Sequence, residues 1–541
     1  MASGLRVHPH KRVLMKSDSK LTGMYIFAAL LGLVLAVFFG FQKKGYYIDE
    51  YYTYTLANGR QLGIAIENGN WQDTGSFMDQ MVSDESENFH FSQVYEATSN
   101  NVHPPLYYYL IHLSSSFYSG RFSKWTGLIV NILLWIPSLF LAYGLATELS
   151  PENKVVAFAA FVCYAFSPAI LSGLMLIRMY IPLHLFTMLY AYILIKDMKR
   201  DEISIKKFLI PVFVTGFCGF MTQYYFVIVM FFMTAFYILL MLKLPFDRAN
   251  IKRLLIFGAT ALFSLIATYF YWPVSVYHIF KGYRGADSFN SLVSTTNTSS
   301  RVALFFGNLS DNVFGGLLIV PLVFFIIGFV LAIKNKEAVR NSVRARQMVV
   351  LAFSSICYFL VITKIGLKAA YASNRYVYPV YGIFIILTVV GMYEVLKKLI
   401  KGEKSRLYAC AIATAFMPLA VLLAHARGQV LFLYPEERIL DDFVAQHPDT
   451  ELLVFQNDDG KYDVRIKDYL WRDRVYWALC DDPSTLEDDE LKTKDELLVY
   501  VDGTSDVEGC LDSLTAVNPS LSDREHVFTT PGGDFEVWYL N

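Results

Sequence analysis

Charge is scarce in this sequence: Asp, Glu, Lys and Arg make up 18% of its 541 residues. A soluble chain of that length carries closer to about a quarter, so lipid must be the solvent for much of this one. A hydrophobic share of 55% and a mean hydropathy of +0.37 say the same. A basic surplus is also missing, since the formal net charge is −1, and without one there is no electrostatic footprint for nucleic acid. Cysteine is sparse at six residues. Cys163, Cys218, Cys357 and Cys410 fall in apolar runs as small packing residues, while Cys480 and Cys510 fall in a hydrophilic tail where a disulfide is chemically permitted. Neither a repeat at solenoid spacing nor a low-complexity linker occurs.

What is present is a series of apolar runs. A basic amino terminus (Arg6, Lys11, Arg12, Lys16, Lys20) precedes the run Leu21–Phe41. That run is longer than the core of a cleaved leader and matches the roughly 20 residues that cross a bilayer, so it reads as a retained first span. Ten more runs follow near 127–147, 155–172, 179–195, 208–223, 225–242, 254–273, 313–333, 347–363, 376–396 and 407–424. Lys and Arg of the connecting loops gather after every second span, as in Lys196/Lys199/Arg200, Lys252/Arg253, Arg340/Arg344/Arg346 and Lys397/Lys398/Lys401. By the rule that such loops face the cytoplasm, about eleven spans with a cytoplasmic amino terminus and an outside carboxy terminus is the consistent solution.

Two sizeable pieces then lie outside: a loop over 43–125, richer in acids than bases, and an acidic tail over 425–541 that includes Asp458-Asp459 and Asp481-Asp482. The expected division is a cytoplasmic segment 1–20, a transmembrane domain 21–424 and a soluble tail 425–541. In the tail, short apolar strands (Leu452–Phe455, Val475–Leu479, Leu497–Val501, Phe535–Leu540) alternate with helical patterns around Val464–Trp471 and Val507–Leu514, which predicts a small α/β domain.

The chemistry-bearing residues cluster just beyond the spans on that outer side. Tyr46-Tyr47-Ile48-Asp49-Glu50-Tyr51-Tyr52 follows the first span. Two adjacent carboxylates in a tyrosine cluster read either as a solvated acidic step under an aromatic belt or as a site with Asp49 as general base. The same loop closes on Asn101-Val102-His103-Pro104-Pro105-Leu106-Tyr107-Tyr108-Tyr109, where paired prolines stiffen the start of a helix and hold His103 at the membrane surface. His103 could equally cap that helix.

An Asp-Glu pair after the first span, then His-Pro-Pro-Leu-Tyr-Tyr in the same loop, resembles the GT-C glycosyltransferases. These include the dolichyl-phosphate-mannose–protein mannosyltransferases and the bacterial lipid A aminoarabinose transferase. Arg178-Met179-Tyr180, Gln223-Tyr224-Tyr225-Phe226, Tyr283-Arg284-Gly285 and Asn374-Arg375-Tyr376 lie on the same face and extend the resemblance over about 40–400, with nothing recognised in the tail. The resemblance implies an α-helical polytopic fold and transfer of a sugar from a polyprenyl-phosphate donor, at the outer face of the cell membrane, to an envelope glycan, lipid or protein. Asp49 would be the base, with Glu50 and His103 shaping the site, and Arg178, Arg284 and Arg375 would receive the phosphate. Lys364, Lys368 and His278 are further candidates for that charge, and Tyr107, Gln223 and Tyr224 would contact sugar or acceptor. Each arginine also has a reading as a snorkelling anchor. Asn101 stands where many relatives carry Asp, which removes a carboxylate; the resemblance makes no cofactor certain and leaves a divalent metal possible but unassigned. Two rivals stand beside this reading: a lipid or polysaccharide transporter or flippase, and a non-catalytic envelope sensor. A transporter would be expected to place ionisable groups at mid-membrane, and these spans are nearly free of charge.

Overall fold

The computed structural model describes residues 9–541 apart from 62, 201, 243–247, 403 and 458–463, with side chains from Lys20 onward. The start of the amino-terminal basic segment, Asp458 and Asp459 therefore lie outside the described residues.

All the expected apolar runs are helical. Inside a bilayer only a helix satisfies the backbone of a single segment. Among the described residues eight helices are long and apolar enough to cross: Lys20–Gln42, Lys124–Leu149, Lys154–Met175, Ile205–Thr222, Arg248–Tyr271, Val343–Ile365, Tyr378–Leu399 and Ser405–Ala426. The other three of the expected eleven are shorter or less apolar. Tyr180–Asp197 and Phe226–Leu242 are short helices packed among the rest. The third, Ile319–Lys334, meets Thr298–Phe314 at a 98° bend, and the two together make a ninth candidate span. The bend falls at Gly315 and Gly316, both at positive φ, where a side chain would be strained.

The helices have two distinct ends. At one, bases pair with acids from neighbouring helices: Lys196 with Glu148 at 2.8 Å, Arg253 with Asp197, Arg344 with Glu394 at 3.4 Å and Lys397 with Glu394 at 2.9 Å. The loops 43–123, 176–179, 272–297 and 366–377 and the tail gather at the other. The bases of the short loops thus share one end of the helices.

The tail folds as a small sheet domain. Its strands are β1 (Asn70–Asp73), β2 (Glu451–Gln456), β3 (Arg474–Leu479), β4 (Leu497–Asp502), β5 (Arg524–Thr529) and β6 (Phe535–Leu540), in the order β1-β3-β2-β4-β6-β5. β2 lies parallel to β3 and β4, and the remaining pairs are antiparallel. The central strands are nearly continuous apolar runs because both faces are covered. On one face Leu453, Val499 and Val501 pack under Cys510, Leu511 and Leu514 of the helix Val507–Val517. On the other, Trp477 stacks on Phe77 of the first loop, 6.0 Å between ring centres. β1 comes from that loop and pairs Trp71 opposite Tyr476. The sheet is therefore completed by a segment just over 400 positions earlier in the chain, a pairing no local pattern announces. Cys480 and Cys510 are both free thiols, with the sulfur of Cys510 4.0 Å from the carbonyl oxygen of Cys480.

Buried charge ties the tail to the first loop. Lys43 and Glu50 are fully buried and 2.9 Å apart, and Lys43 also donates to the Phe432 carbonyl at 2.8 Å. Nearby, Arg465 pairs with Glu437 at 2.8 Å, and Lys467 with Asp441 at 2.8 Å, while the Lys467 ammonium donates to the Lys44 carbonyl at 3.0 Å.

Candidate active site

The first span ends at Gln42, and a new helix, Ile48–Ala57, starts only a few residues on. Glu50 fixes that start. One of its oxygens accepts from the Tyr47 N–H at 2.6 Å and from Lys43, and the other from the Ile177 N–H at 2.7 Å. Glu50 thereby pins three segments with both oxygens occupied, which makes it a positioning residue. Asp49, one residue earlier in the helix's first turn, points elsewhere and keeps 20% side-chain exposure. Its carboxylate makes no hydrogen bond among the described residues and is held by charge alone, 3.5 Å from Nη2 of Arg375 and 3.9 Å from Nε of Arg178.

Arg178 sits in the break between the helices Pro168–Met175 and Tyr180–Asp197. Its Nη1 donates to the Asp49 carbonyl at 3.1 Å, to Thr53 Oγ1 at 3.1 Å and to the Tyr108 hydroxyl at 3.3 Å, and its Nη2 donates to Nε2 of His103 at 3.1 Å. An arginine cannot accept, so Nε2 carries the lone pair and His103 is neutral, with its proton on Nδ1. Burial, then the charges of Arg178, Arg284, His278 and Arg375, hold this imidazole well below the usual histidine range.

Arg375 lies in the short 3₁₀ turn Ala370–Tyr376 that leads into the span Tyr378–Leu399. Its guanidinium is sandwiched between the rings of Tyr47 (5.0 Å) and Tyr376 (4.8 Å) and donates to both hydroxyls, at 3.0 and 3.1 Å. Both arginines are almost wholly buried, and the Nε–H of each donates no hydrogen bond among the described residues. Two buried cations share one carboxylate beside a neutral histidine, so the site carries an uncompensated positive charge and spare donors. That charge balance favours an anion.

The remaining candidates divide. Arg284 is exposed on the helix Tyr283–Val293, over the ring of Tyr283 at 5.1 Å, and its charge reaches His103. Gln223, 5% exposed at the end of the helix Ile210–Thr222, makes no side-chain hydrogen bond among the described residues. Two tyrosines have their hydroxyls engaged within the protein. Tyr107, expected to contact sugar or acceptor, is fully buried and donates to Asn131 at 2.9 Å, docking its helix on the next. The hydroxyl of Tyr224 is committed too: it donates to Nδ1 of His278 and accepts from Trp272 Nε1, both at 2.8 Å. The other ring nitrogen of His278 donates to the Ser99 carbonyl at 3.0 Å, so His278 is used up as well. Lys364 and Lys368 hold Thr298 (2.7 Å) and Ser300 (3.2 Å). Among the described residues no group of three or more His, Cys, Asp or Glu side chains could hold a metal ion. Sequence reasoning missed Thr53 as an arginine ligand; it lies one helical turn after Asp49, a spacing that could have suggested it.

A family model described as dolichyl-phosphate-mannose-protein mannosyltransferase matches residues 102–272. The match takes in His103 and Arg178 and leaves out Asp49, Arg375 and the tail. Among solved structures, the oligosaccharyltransferase of Archaeoglobus fulgidus in complex with Zn and sulfate superposes with a TM-score of 0.50 at 12% identity, covering 88% of this chain and 68% of that one. The chain has the GT-C fold. ArnT from Cupriavidus metallidurans, bound to undecaprenyl phosphate, gives a TM-score of 0.48 at 12% identity over 96% of this chain and 97% of its own. No curated protein matches by sequence. At 12% identity the superposition on the oligosaccharyltransferase speaks for the fold alone. The segments around the site come from four distant parts of the chain, and what they bring together is Asp49, His103, Arg178 and Arg375.

Proposed function

We propose that this protein transfers a sugar from a polyprenyl-phosphate-linked donor to a cell-envelope acceptor at the non-cytoplasmic face of the membrane. The observation that carries the reading is the Asp49 carboxylate, free of hydrogen bonds among the described residues, facing two buried guanidiniums whose Nε–H groups donate no hydrogen bond among those residues. Transfer needs a base for the acceptor proton and cations for the leaving phosphate, and the two kinds of group stand within 4 Å here.

In this reading the acceptor hydroxyl attacks the anomeric carbon of the donor as the bond from that carbon to the phosphate oxygen breaks. The proton passes to Asp49, and the polyprenyl phosphate leaves onto Arg178 and Arg375, with Arg284 at the rim. As the phosphate gathers charge it draws the guanidiniums from Asp49, just when that carboxylate takes up its proton. His103, neutral and accepting from Arg178, aims that arginine. Glu50 holds the helix that presents Asp49, and Gln223 supplies a free amide for a sugar hydroxyl. The paired bases at the opposite helix ends support a cytoplasmic placement for that side, which puts the site and the tail outside.

The test compares cells making the wild-type protein with cells making Asp49→Asn. The expected result is loss of one envelope glycan modification together with accumulation of a sugar-charged polyprenyl phosphate. Normal glycans with a polyprenyl lipid stranded on the cytoplasmic side would turn the reading to a flippase.

A further inference from the structure

A crevice of about 670 Å³ opens between the membrane part and the tail. One wall is Tyr47 and Tyr371 from the membrane part; the other is Tyr434 and Glu436, just after the last span, with Asp534 of the hairpin between β5 and β6. Aromatic contacts run along it without a break. Tyr47 lies 5.8 Å from Phe432, Phe432 lies 5.6 Å from Tyr371, and the hydroxyls of Tyr371 and Tyr434 are 3.1 Å apart. Tyr371 is 41% exposed and offers its ring to solvent. Tyr47 belongs to both places: its ring lines the crevice while its hydroxyl accepts from Arg375 at 3.0 Å.

The charge here is opposite to that of the arginine site. Arg465 and Glu437 neutralise each other at 2.8 Å. Glu436 and Asp534 have no ion pair and no side-chain hydrogen bond among the described residues, so two carboxylates face the opening unmatched. The walls are also held in strained backbone. Ala370, Phe432 and Tyr434 have φ of 42°, 65° and 53°, left-handed values that are costly for these residue types and persist where surrounding structure enforces them. The hydrogen bonds from Lys43 to the Phe432 carbonyl and from the Lys44 N–H to the Leu433 carbonyl, at 2.8 and 2.7 Å, do the enforcing.

We propose that this crevice binds the acceptor, and that the acceptor is an uncharged polyhydroxylated molecule, the neutral sugar unit of an envelope glycan. The proposal rests on the transferase reading above and specifies its second substrate. Aromatic faces with a few placed acceptors suit a ligand that shows apolar C–H faces and hydroxyl donors together. Unmatched carboxylates strengthen hydrogen bonds from hydroxyls and disfavour a phosphorylated or acidic acceptor by like-charge repulsion. The anionic donor and the neutral acceptor are thereby sorted to the two sides of Tyr47.

The test is saturation-transfer NMR on the full-length protein in lipid nanodiscs. The probes are neutral gluco-, manno-, galacto- and xylo-oligosaccharides, with a phosphorylated oligosaccharide and an unstructured peptide as comparators. Saturation should reach the ring C–H protons of at least one neutral oligosaccharide. It should fall about fivefold in Tyr371→Ala, in line with the loss of one aromatic contact, and also in Glu436→Gln, an exposed change that leaves folding intact. It should survive in Asp49→Asn, so binding and chemistry are read separately. Loss of transfer in Asp49→Asn without binding of any neutral probe would overturn the crevice alone. Preference for the phosphorylated probe or the peptide, or wild-type signals in both crevice variants, would overturn it too. Crevice-dependent binding with normal transfer by Asp49→Asn would overturn the base while leaving a glycan site.

Discussion

The Asp49 carboxylate and the Arg375 guanidinium approach to 3.5 Å without forming a hydrogen bond. Arg375 gives its donors to Tyr47, Tyr376 and the Ala372 carbonyl instead, so the carboxylate is placed by charge and left open at the proton-accepting atom. A structural salt bridge at a buried arginine would more often close into a bidentate pair. Asp49→Asn keeps the shape and removes the basicity. A positioned base contributes about 10²–10⁴-fold in rate, and a loss in that range is expected with the protein level and donor binding retained. A variant within a few-fold of wild type would remove Asp49 from the chemistry.

Arg375→Lys keeps the charge and loses both the ring sandwich and the planar fork. A hydrogen bond to a charged group is worth about 1.5–3 kcal/mol, so the KM for the donor should rise by about one to two orders of magnitude. The melting temperature should fall only modestly. Unchanged kinetics at limiting donor would assign Arg375 to the scaffold.

The comparison of sequence with structure turns on the range of each signal. The spans were legible because a bilayer demands long apolar runs, and which loops share an end because Lys and Arg of the short loops gather at one of them. Those two facts alone place Asp49, His103, Arg178 and Arg375 at the same membrane face. Their convergence from four segments is then a matter of helix packing. What local patterns could not give are pairings between distant residues. Tyr107 reads as a surface tyrosine until Asn131 appears beneath it, and Tyr224 reads as free until Trp272 and His278 close on it. β1 carries too short and polar a pattern to be called a strand before its partner β3 is in view. Glu50 looked like half of an acidic pair, yet its partner Lys43 was only seven positions away, on the other side of the turn.

His103 sets a pH dependence. Its pKa is lowered well below 6.5 in the folded protein, so below about pH 6.5 the unfolded chain binds this proton and the folded one does not. Stability contributed by the neutral imidazole is present above that pH and is lost as pH falls toward the folded value, with a slope of up to about 1.4 kcal/mol per pH unit. Protonation would also take away the acceptor of Arg178. Melting temperature and transfer rate should both decline between pH 7 and pH 5, and His103→Gln, whose amide oxygen can still accept, should flatten both profiles. Parallel profiles for the two proteins would mean that another group titrates.

The last prediction separates Glu50 from its neighbour. Glu50 and Lys43 are both fully buried, and removing one member of a buried pair strands the other charge at a cost of about 3–5 kcal/mol. Glu50→Gln should therefore lower the melting temperature and protein level, because Lys43 loses its counter-charge and the Tyr47 and Ile177 N–H groups must compete for one remaining oxygen. The surviving folded fraction should keep a near-normal KM for the donor, since Glu50 touches neither arginine. Lys43→Met alone should be about as damaging, and Lys43→Met with Glu50→Gln should be less damaging than the sum, since neither charge is then left alone. That non-additivity is the signature of a structural pair. If instead Glu50→Gln is stable and loses transfer as fully as Asp49→Asn, Glu50 belongs to the chemistry and the two carboxylates act together.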